Sequence, residues 1–250
     1  MWDLHVHTDI CDGKDSPEAV AAAAARMGLS CLGFSGHSHT PFDGSYCMSE
    51  AGTEDYRRRV NALKEQYRGR LRILCGLEQD FYAPPAEGYD YLIGSVHYVL
   101  KDGIYYPVDE SAAASEEMIA AFGGDPMAAA EAYYALVGQV AEKTGCRIIG
   151  HFDLITKFNE QKPLFDTAHP RYRRAWQQAA EKLLTRDIPF EINFGAIFRG
   201  YRQVPYPSAE QLRYLKARGA RFVLSSDSHS AETLCGGFEA YAEYRSSCPV

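Results

Sequence analysis

Short apolar runs of four or five residues recur along the chain, separated by longer stretches in which apolar positions repeat every three or four residues. Seven of the short runs predict strands: Asp3–His7, Cys31–Ser35, Arg72–Gly76, Tyr91–Ser95, Arg147–Gly150, Pro189–Asn193 and Arg221–Ser225. The longer stretches predict helices. Ser16-Pro17-Glu18 supplies a cap, a first-turn proline and a first-turn acid ahead of Ala19–Met27. Pro126–Lys143 and Arg171–Thr185 are long enough for several turns, and Ser208 caps Ala209–Arg218, which Gly219 ends. Strands alternating with helices predict a parallel sheet with crossover helices. Lys101–Pro126 is the least regular stretch and is read as an excursion or lid. No internal repeat and no linker rich in Pro, Gly or Ser interrupts the pattern, so residues 1–250 are read as one domain.

Composition narrows this picture. The chain has 250 residues, a length that β/α barrels reach as one unit, and 46% hydrophobic residues are enough for a sizeable core. No apolar run approaches the roughly 18 residues of a membrane span. The first apolar alternation contains Asp3, which is not signal-peptide chemistry; the expectation is a cytoplasmic protein with no membrane partner. A net charge of −7 argues against a general nucleic-acid binder, while leaving single basic residues free to hold a phosphate. The seven cysteines are odd in number and lack CxxC spacing, which predicts reduced thiols rather than disulfides or a thiolate metal site.

The candidate chemistry lies in the histidines. Of eight, His5, His7, His37, His97 and His151 fall at or near candidate strand ends, and His229 follows the seventh strand by a few residues. Glu78 comes just after the third strand and Asp227 just after the seventh. In a parallel barrel all C-terminal strand ends face one mouth, so residues far apart in sequence become neighbours there. His5 and His7 alternate along one strand and therefore share a face. One histidine near a strand end is ordinary, but six point to a metal site. Imidazole and carboxylate donors without thiolates suit Zn, Mn or Fe, and Glu78 is the natural bridging carboxylate. His169 reads as a surface-loop residue. His39, two residues after His37, reads either as lining a substrate pocket or as an ordinary loop histidine. Asp153 reads as an orienting or helix-capping acid. Asp3 reads either as orienting His5 or as a buried, hydrogen-bonded acid at the barrel floor.

The segments Asp3-Leu4-His5-Val6-His7-Thr8, Asp12-Gly13, Gly36-His37-Ser38, Gly76-Leu77-Glu78, Gly94-Ser95-Val96-His97, Gly150-His151 and Ser226-Asp227-Ser228-His229 resemble, in order, the motifs of the PHP (polymerase and histidinol phosphatase) family. That resemblance implies a distorted (β/α)7 barrel of TIM type with a trinuclear metal site, so that two to three divalent metal ions are expected. It assigns His5, His7, Glu78 and Asp227 to one metal, Glu78, His97 and His151 to a second, and Asp12, His37 and His229 to a third. Asp12 enters through the resemblance alone. Phe190-Glu191-Ile192-Asn193, Arg199-Gly200 and Tyr206-Pro207-Ser208 further resemble the histidinol-phosphate phosphatase branch, in which the arginine at the Arg199 position grips the substrate phosphate. A guanidinium pairs bidentately with phosphate and keeps its charge. Lys157, after the His151 strand, reads as a second phosphate contact or as a solvated lysine.

The implied reaction is hydrolysis of a small phosphate monoester, with L-histidinol phosphate as first choice within histidine biosynthesis. Glu78, Asp227 and Arg199 are the catalytic candidates. No CxxxxxR or DxDxT arrangement is present to supply a protein nucleophile, which favours water activated by metal. A different small phosphate ester or a phosphotyrosyl peptide is the alternative substrate, and a metal-binding accessory module without turnover is the alternative class.

Overall fold

The computed structural model describes residues 1–250. In chain order it contains β1 (Trp2–Asp3), α1 (Pro17–Arg26), β2 (Cys31–Phe34), α2 (Glu50–Gln66), β3 (Arg72–Asp80), β4 (Tyr91–Ser95), β5 (Tyr98–Lys101), β6 (Ile104–Pro107), α3 (Ala112–Ala121), α4 (Pro126–Val137), α5 (Val140–Thr144), β7 (Ile148–Ile149), α6 (Pro170–Leu184), β8 (Phe190–Asn193), α7 (Gly195–Phe198), α8 (Ala209–Ala217) and β9 (Phe222–Ser225). Seven strands form one sheet in the order β1-β2-β3-β4-β7-β8-β9, with every neighbouring pair parallel. The sheet curls until its ends meet. His7 N donates to Ser228 O at 2.8 Å and Ser228 N to His5 O at 3.1 Å, around a parallel bridge between Val6 and Ser228. The result is the distorted seven-stranded barrel that the family resemblance implies, built on the parallel sheet that the alternation predicts.

Two apolar layers hold it. A large cluster fills the space between sheet and helices. A smaller one, including Leu4, Cys31, Leu74, Tyr91 and Val223, plugs the barrel itself. Tyr91 crosses that interior and donates to Leu4 O and Phe34 O at 2.5 and 3.1 Å. Its ring takes the space that side chains would occupy at Gly33 and Gly76, where an added Cβ would lie 2.3 and 2.2 Å from Tyr91 atoms. The plug closes one end, and the polar residues collect at the other.

Several elements differ from the pattern-based expectation. Lys101–Pro126 is not irregular: it completes the β5–β6 antiparallel hairpin and carries α3. The pattern hides α2 because only Tyr56, Val60 and Leu63 of its 17 residues are buried, a stripe too narrow to stand out among charges. Pro126–Lys143 is two helices rather than one, broken near Gly138, where an added Cβ would lie 3.1 Å from Ala179 Cα on α6. β3 runs on to Asp80, so Glu78 lies inside the strand instead of after it. All seven cysteines are free thiols; five are buried, while Cys11 and Cys248 are partly exposed. No helix is long and apolar enough to cross a membrane.

Candidate metal centre

The strand ends deliver the donors to one mouth. His5 and His7 follow β1, and the Val6–Ser228 bridge sets them beside Asp227 and His229, which follow β9. A second bridge, His37 to Glu78, joins the end of β2 to β3. His97 follows β4 and His151 follows β7. Asp12 arrives from the loop after His7, where Cys11 N and Gly13 N both donate to Thr8 O and turn the chain back over the barrel. Glu78 sits at the centre and is 1% exposed. Its Oε1 lies 2.8 Å from His151 Nε2 and 3.3 Å from His97 Nε2, and accepts from Ser95 Oγ at 2.7 Å. Its Oε2 lies 3.0 Å from His37 Nδ1 and 3.2 Å from His5 Nε2. The two oxygens thus face different histidine sets, as a bridging carboxylate must.

Three groups have donor atoms all within 4.8 Å of one another: His7, Asp12, His37 and His229; His5, His7 and Asp227; and His37, Glu78 and His97. His7 and His37 each belong to two of these groups, and Glu78 groups with His37 and His97. His151 joins through Glu78 alone. The donor chemistry fits divalent metal. His5 Nε2 and His7 Nε2 are buried without a hydrogen-bond partner, a costly state unless a cation takes the lone pair.

The electrostatics of these side chains agree. Burial, reinforced by the neighbouring His229 and His37, pushes the His7 pKa down to about 3, so its ring is neutral and ready to ligate. Burial opposes charge on His37 too, but Glu78 and Asp12 raise it to about 9. His5 is held well above its ordinary value against burial by Glu191, Glu78 and Asp227, and His97 likewise by Glu78 and Asp80. Despite burial, the surrounding histidines hold Glu78 well below the carboxylate range, and Arg199 and His5 do the same for Asp227.

Around these donors lies a set of orienting contacts that sequence reasoning largely missed. Glu191 on β8, fully buried, places Oε1 2.7 Å from His5 Nδ1 and accepts from His151 N at 3.1 Å through Oε2. Asp80 lies 3.2 Å from His97 Nδ1. Both occupy alternate positions on strands already predicted or extended, and that spacing was the available signal. Asp3 does not contact the His5 ring; its carboxylate accepts from the backbone nitrogens of His5, Ser226 and Cys235 at 3.4, 3.2 and 2.9 Å, a buried, hydrogen-bonded acid that holds the His5 backbone. Asp153 accepts from Ser208 N, the cap residue of α8, at 3.2 Å.

Arg199 ends α7, just beyond β8, and lines a cavity of about 580 Å³ over the donors. Its Nη2 lies 3.1 Å from Asp227 Oδ2, and Nη1 lies 2.9 Å from both ring nitrogens of His229, so the guanidinium lies across the imidazole. Lys157 also lines the cavity. It is not a solvated lysine: it is 8% exposed, and Nζ donates to Asp109 O and Oδ2 at 2.6 and 3.1 Å. His39 does not line the cavity; its Nδ1 lies 3.1 Å from Met48 O, which fixes the ring within its loop. His169 is not a plain loop residue, because its Nδ1 accepts from Arg171 N at 3.1 Å and caps α6.

A parallel β/α barrel whose mouth gathers imidazoles and carboxylates around one buried acid defines a barrel suited to hold metal. The chain belongs to the PHP domain family, whose model matches residues 3–194. Arg199, which follows β8 and α7, and Asp227 and His229, which follow β9, lie beyond that match. Over 242 residues the chain is 31% identical to a Deinococcus radiodurans protein named "Probable histidinol-phosphatase", covering 92% of this chain and 86% of that one. Among solved structures it is similar to a Listeria monocytogenes protein provisionally described as a histidinol phosphatase, with a TM-score of 0.82 at 22% identity, covering 96% of this chain and all of the other. It is also similar to the histidinol phosphate phosphatase of Lactococcus lactis, solved with Zn, L-histidinol and phosphate. There the TM-score is 0.68 at 18% identity, with 97% and 93% of the two chains covered.

Proposed function

We propose that this protein is a metal-dependent phosphatase that hydrolyses L-histidinol phosphate to L-histidinol and phosphate. The observation that carries the reading is Glu78, buried at the meeting point of five histidines with each oxygen turned to a different set. The names of the relatives supply the substrate. Two to three divalent ions would be held by His5, His7, Asp12, His37, Glu78, His97, His151, Asp227 and His229. When bound, such ions neutralise phosphate oxygens and lower the pKa of the attacking water.

The chain's own residues do the rest. Asp227 turns Oδ1 toward His7, at 3.2 Å, and Oδ2 toward Arg199, so one carboxylate sets the metal end and the guanidinium in register. Arg199 stays charged and exchanges its contact with His229 for two equatorial phosphate oxygens, a preorganised charge partner for the transferring group. Lys157, tethered by Asp109, adds a second positive charge to the cavity wall. No side chain acts as the nucleophile.

The testing assay measures phosphate release from L-histidinol phosphate after chelation and after return of Mn²⁺ or Zn²⁺, with a phosphotyrosyl peptide in parallel. Activity lost on chelation, restored by metal and higher on histidinol phosphate supports the reading. Preference for the peptide transfers the substrate assignment, and absence of turnover in a fully metallated sample leaves only a binding module.

A further inference from the structure

The cavity has a wall that the phosphate chemistry does not use. Tyr46 stands edge-on to His37, ring centroids 4.8 Å apart, and 6.0 Å from His97. Tyr98 lies 6.2 Å beyond Tyr46 and is braced from behind by Phe42, whose ring is 4.9 Å away and is itself stacked on Tyr105 at 3.7 Å. At the outer end of this aromatic wall is Asp43. Its Oδ2 accepts from Tyr98 Oη at 2.6 Å, and its Oδ1 accepts from Ser45 N and Oγ at 2.9 and 2.6 Å.

Asp43 differs from the other cavity acids. Asp12, Glu78 and Asp227 face histidines, and Asp109 is paired with Lys157. Glu110 and Glu232 are exposed and make no side-chain hydrogen bond. Asp43 alone is fixed by three neutral donors and has no cationic partner. A carboxylate held charged and immobile beside aromatic faces is a cation receptor, since it loses little freedom on binding and the rings attract positive charge as well.

We propose that Asp43, at the end of the Tyr46–Tyr98 wall, is the specificity residue that binds the ammonium group of the phosphate ester while the ester's phosphate lies over the metal donors. This assignment rests on L-histidinol phosphate as substrate, which carries an ammonium on the carbon next to the ester-bearing carbon and an imidazole suited to the tyrosine rings. The neutral donors around Asp43 keep it ionised in spite of burial, its pKa being below the ordinary carboxylate value, so the receptor persists through the neutral range. Neutral-alcohol phosphates gain nothing from it.

The test uses the metal-loaded enzyme and two substrates, L-histidinol phosphate and p-nitrophenyl phosphate. Asp43→Asn removes the charge and keeps one acceptor oxygen, for Ser45 N and Oγ, while its amide nitrogen turns to Tyr98 Oη, which can accept instead of donate. It should raise KM for histidinol phosphate about tenfold with little change in kcat, while leaving both constants for p-nitrophenyl phosphate within about twofold. Asp43→Glu should recover part of the loss. Equal losses on both esters would make Asp43 a structural residue, and no loss on either would remove it from recognition; both results overturn the proposal. A parent enzyme that hydrolyses p-nitrophenyl phosphate but not histidinol phosphate overturns the substrate reading, and this assignment with it.

Discussion

Glu191 Oε1 lies 2.7 Å from His5 Nδ1, and both side chains are fully buried. The contact leaves His5 Nε2 as the nitrogen that faces Glu78 and Asp227, which is the geometry a histidine needs to ligate metal at one end while a carboxylate orients the other. Glu191→Gln keeps the volume and removes the charge. It should weaken metal binding about 10–100-fold with the fold intact, as read by competition with a chromogenic chelator. Affinity equal to the parent's would show that ring position, not the carboxylate, sets His5.

Gly195 faces Asp227 so closely that a Cβ there would lie 2.3 Å from Asp227 Oδ2. Asp227 is itself in the left-handed backbone region at φ 49°, aimed by the loop after β9 rather than by its own preference. Gly195→Ala should therefore displace the carboxylate and lower kcat/KM about 100-fold, the usual cost of an ångström-scale misplacement. Kinetics on metal-saturated enzyme check this, with circular dichroism to confirm the fold.

Arg199→Ala should retain metal and fold, because the side chain rims the cavity. Removing a preorganised charge partner costs about 3 kcal/mol of transition-state stabilisation, or roughly 100-fold in kcat/KM. Arg199→Lys should recover only part of it, since an ammonium cannot make the bidentate contact. An unchanged kcat/KM in fully metallated Arg199→Ala would falsify the phosphate role.

His229 and His169 separate two kinds of histidine. His229→Ala should lose metal and activity. His169→Ala should keep both and lose about 1 kcal/mol of stability, because His169 caps α6. Metal analysis and thermal melts on the two variants decide it.

Metal loading should release protons at pH 7. In the metal-free site His37 is raised to about 9, and His5 and His97 lie well above their ordinary value, so all three are protonated there. His7, lowered to about 3, is already deprotonated and contributes none. Ligation requires neutral imidazole, so the binding enthalpy should vary with the ionisation enthalpy of the buffer. The apparent affinity should fall as pH drops. A buffer-independent enthalpy would mean that the histidines are neutral before metal arrives.

What the sequence by itself determined was the alternation of strand and helix and the placement of histidines at strand ends. Those follow from local rules: apolar runs must be buried, alternate strand residues share a face, and parallel strands end together. Glu78 and Asp227 were legible for the same reason. Asp12 was not, because a turn aspartate has no periodicity to betray it, and only the ordered motif set pointed there. The tertiary structure decided the rest. That Glu191 rather than Asp3 reaches the His5 ring depends on the strand register across the barrel, with β8 carrying the acid inward. Gly195 matters only because β9 returns Asp227 against it, a contact spanning 32 residues that no local pattern encodes. Tyr46 and Asp43 became a wall when the β5–β6 hairpin brought Tyr98 against the loop after β2. Local propensity writes the elements, but distances between side chains on different elements are set by how the barrel closes, and chemistry at the mouth depends on those distances.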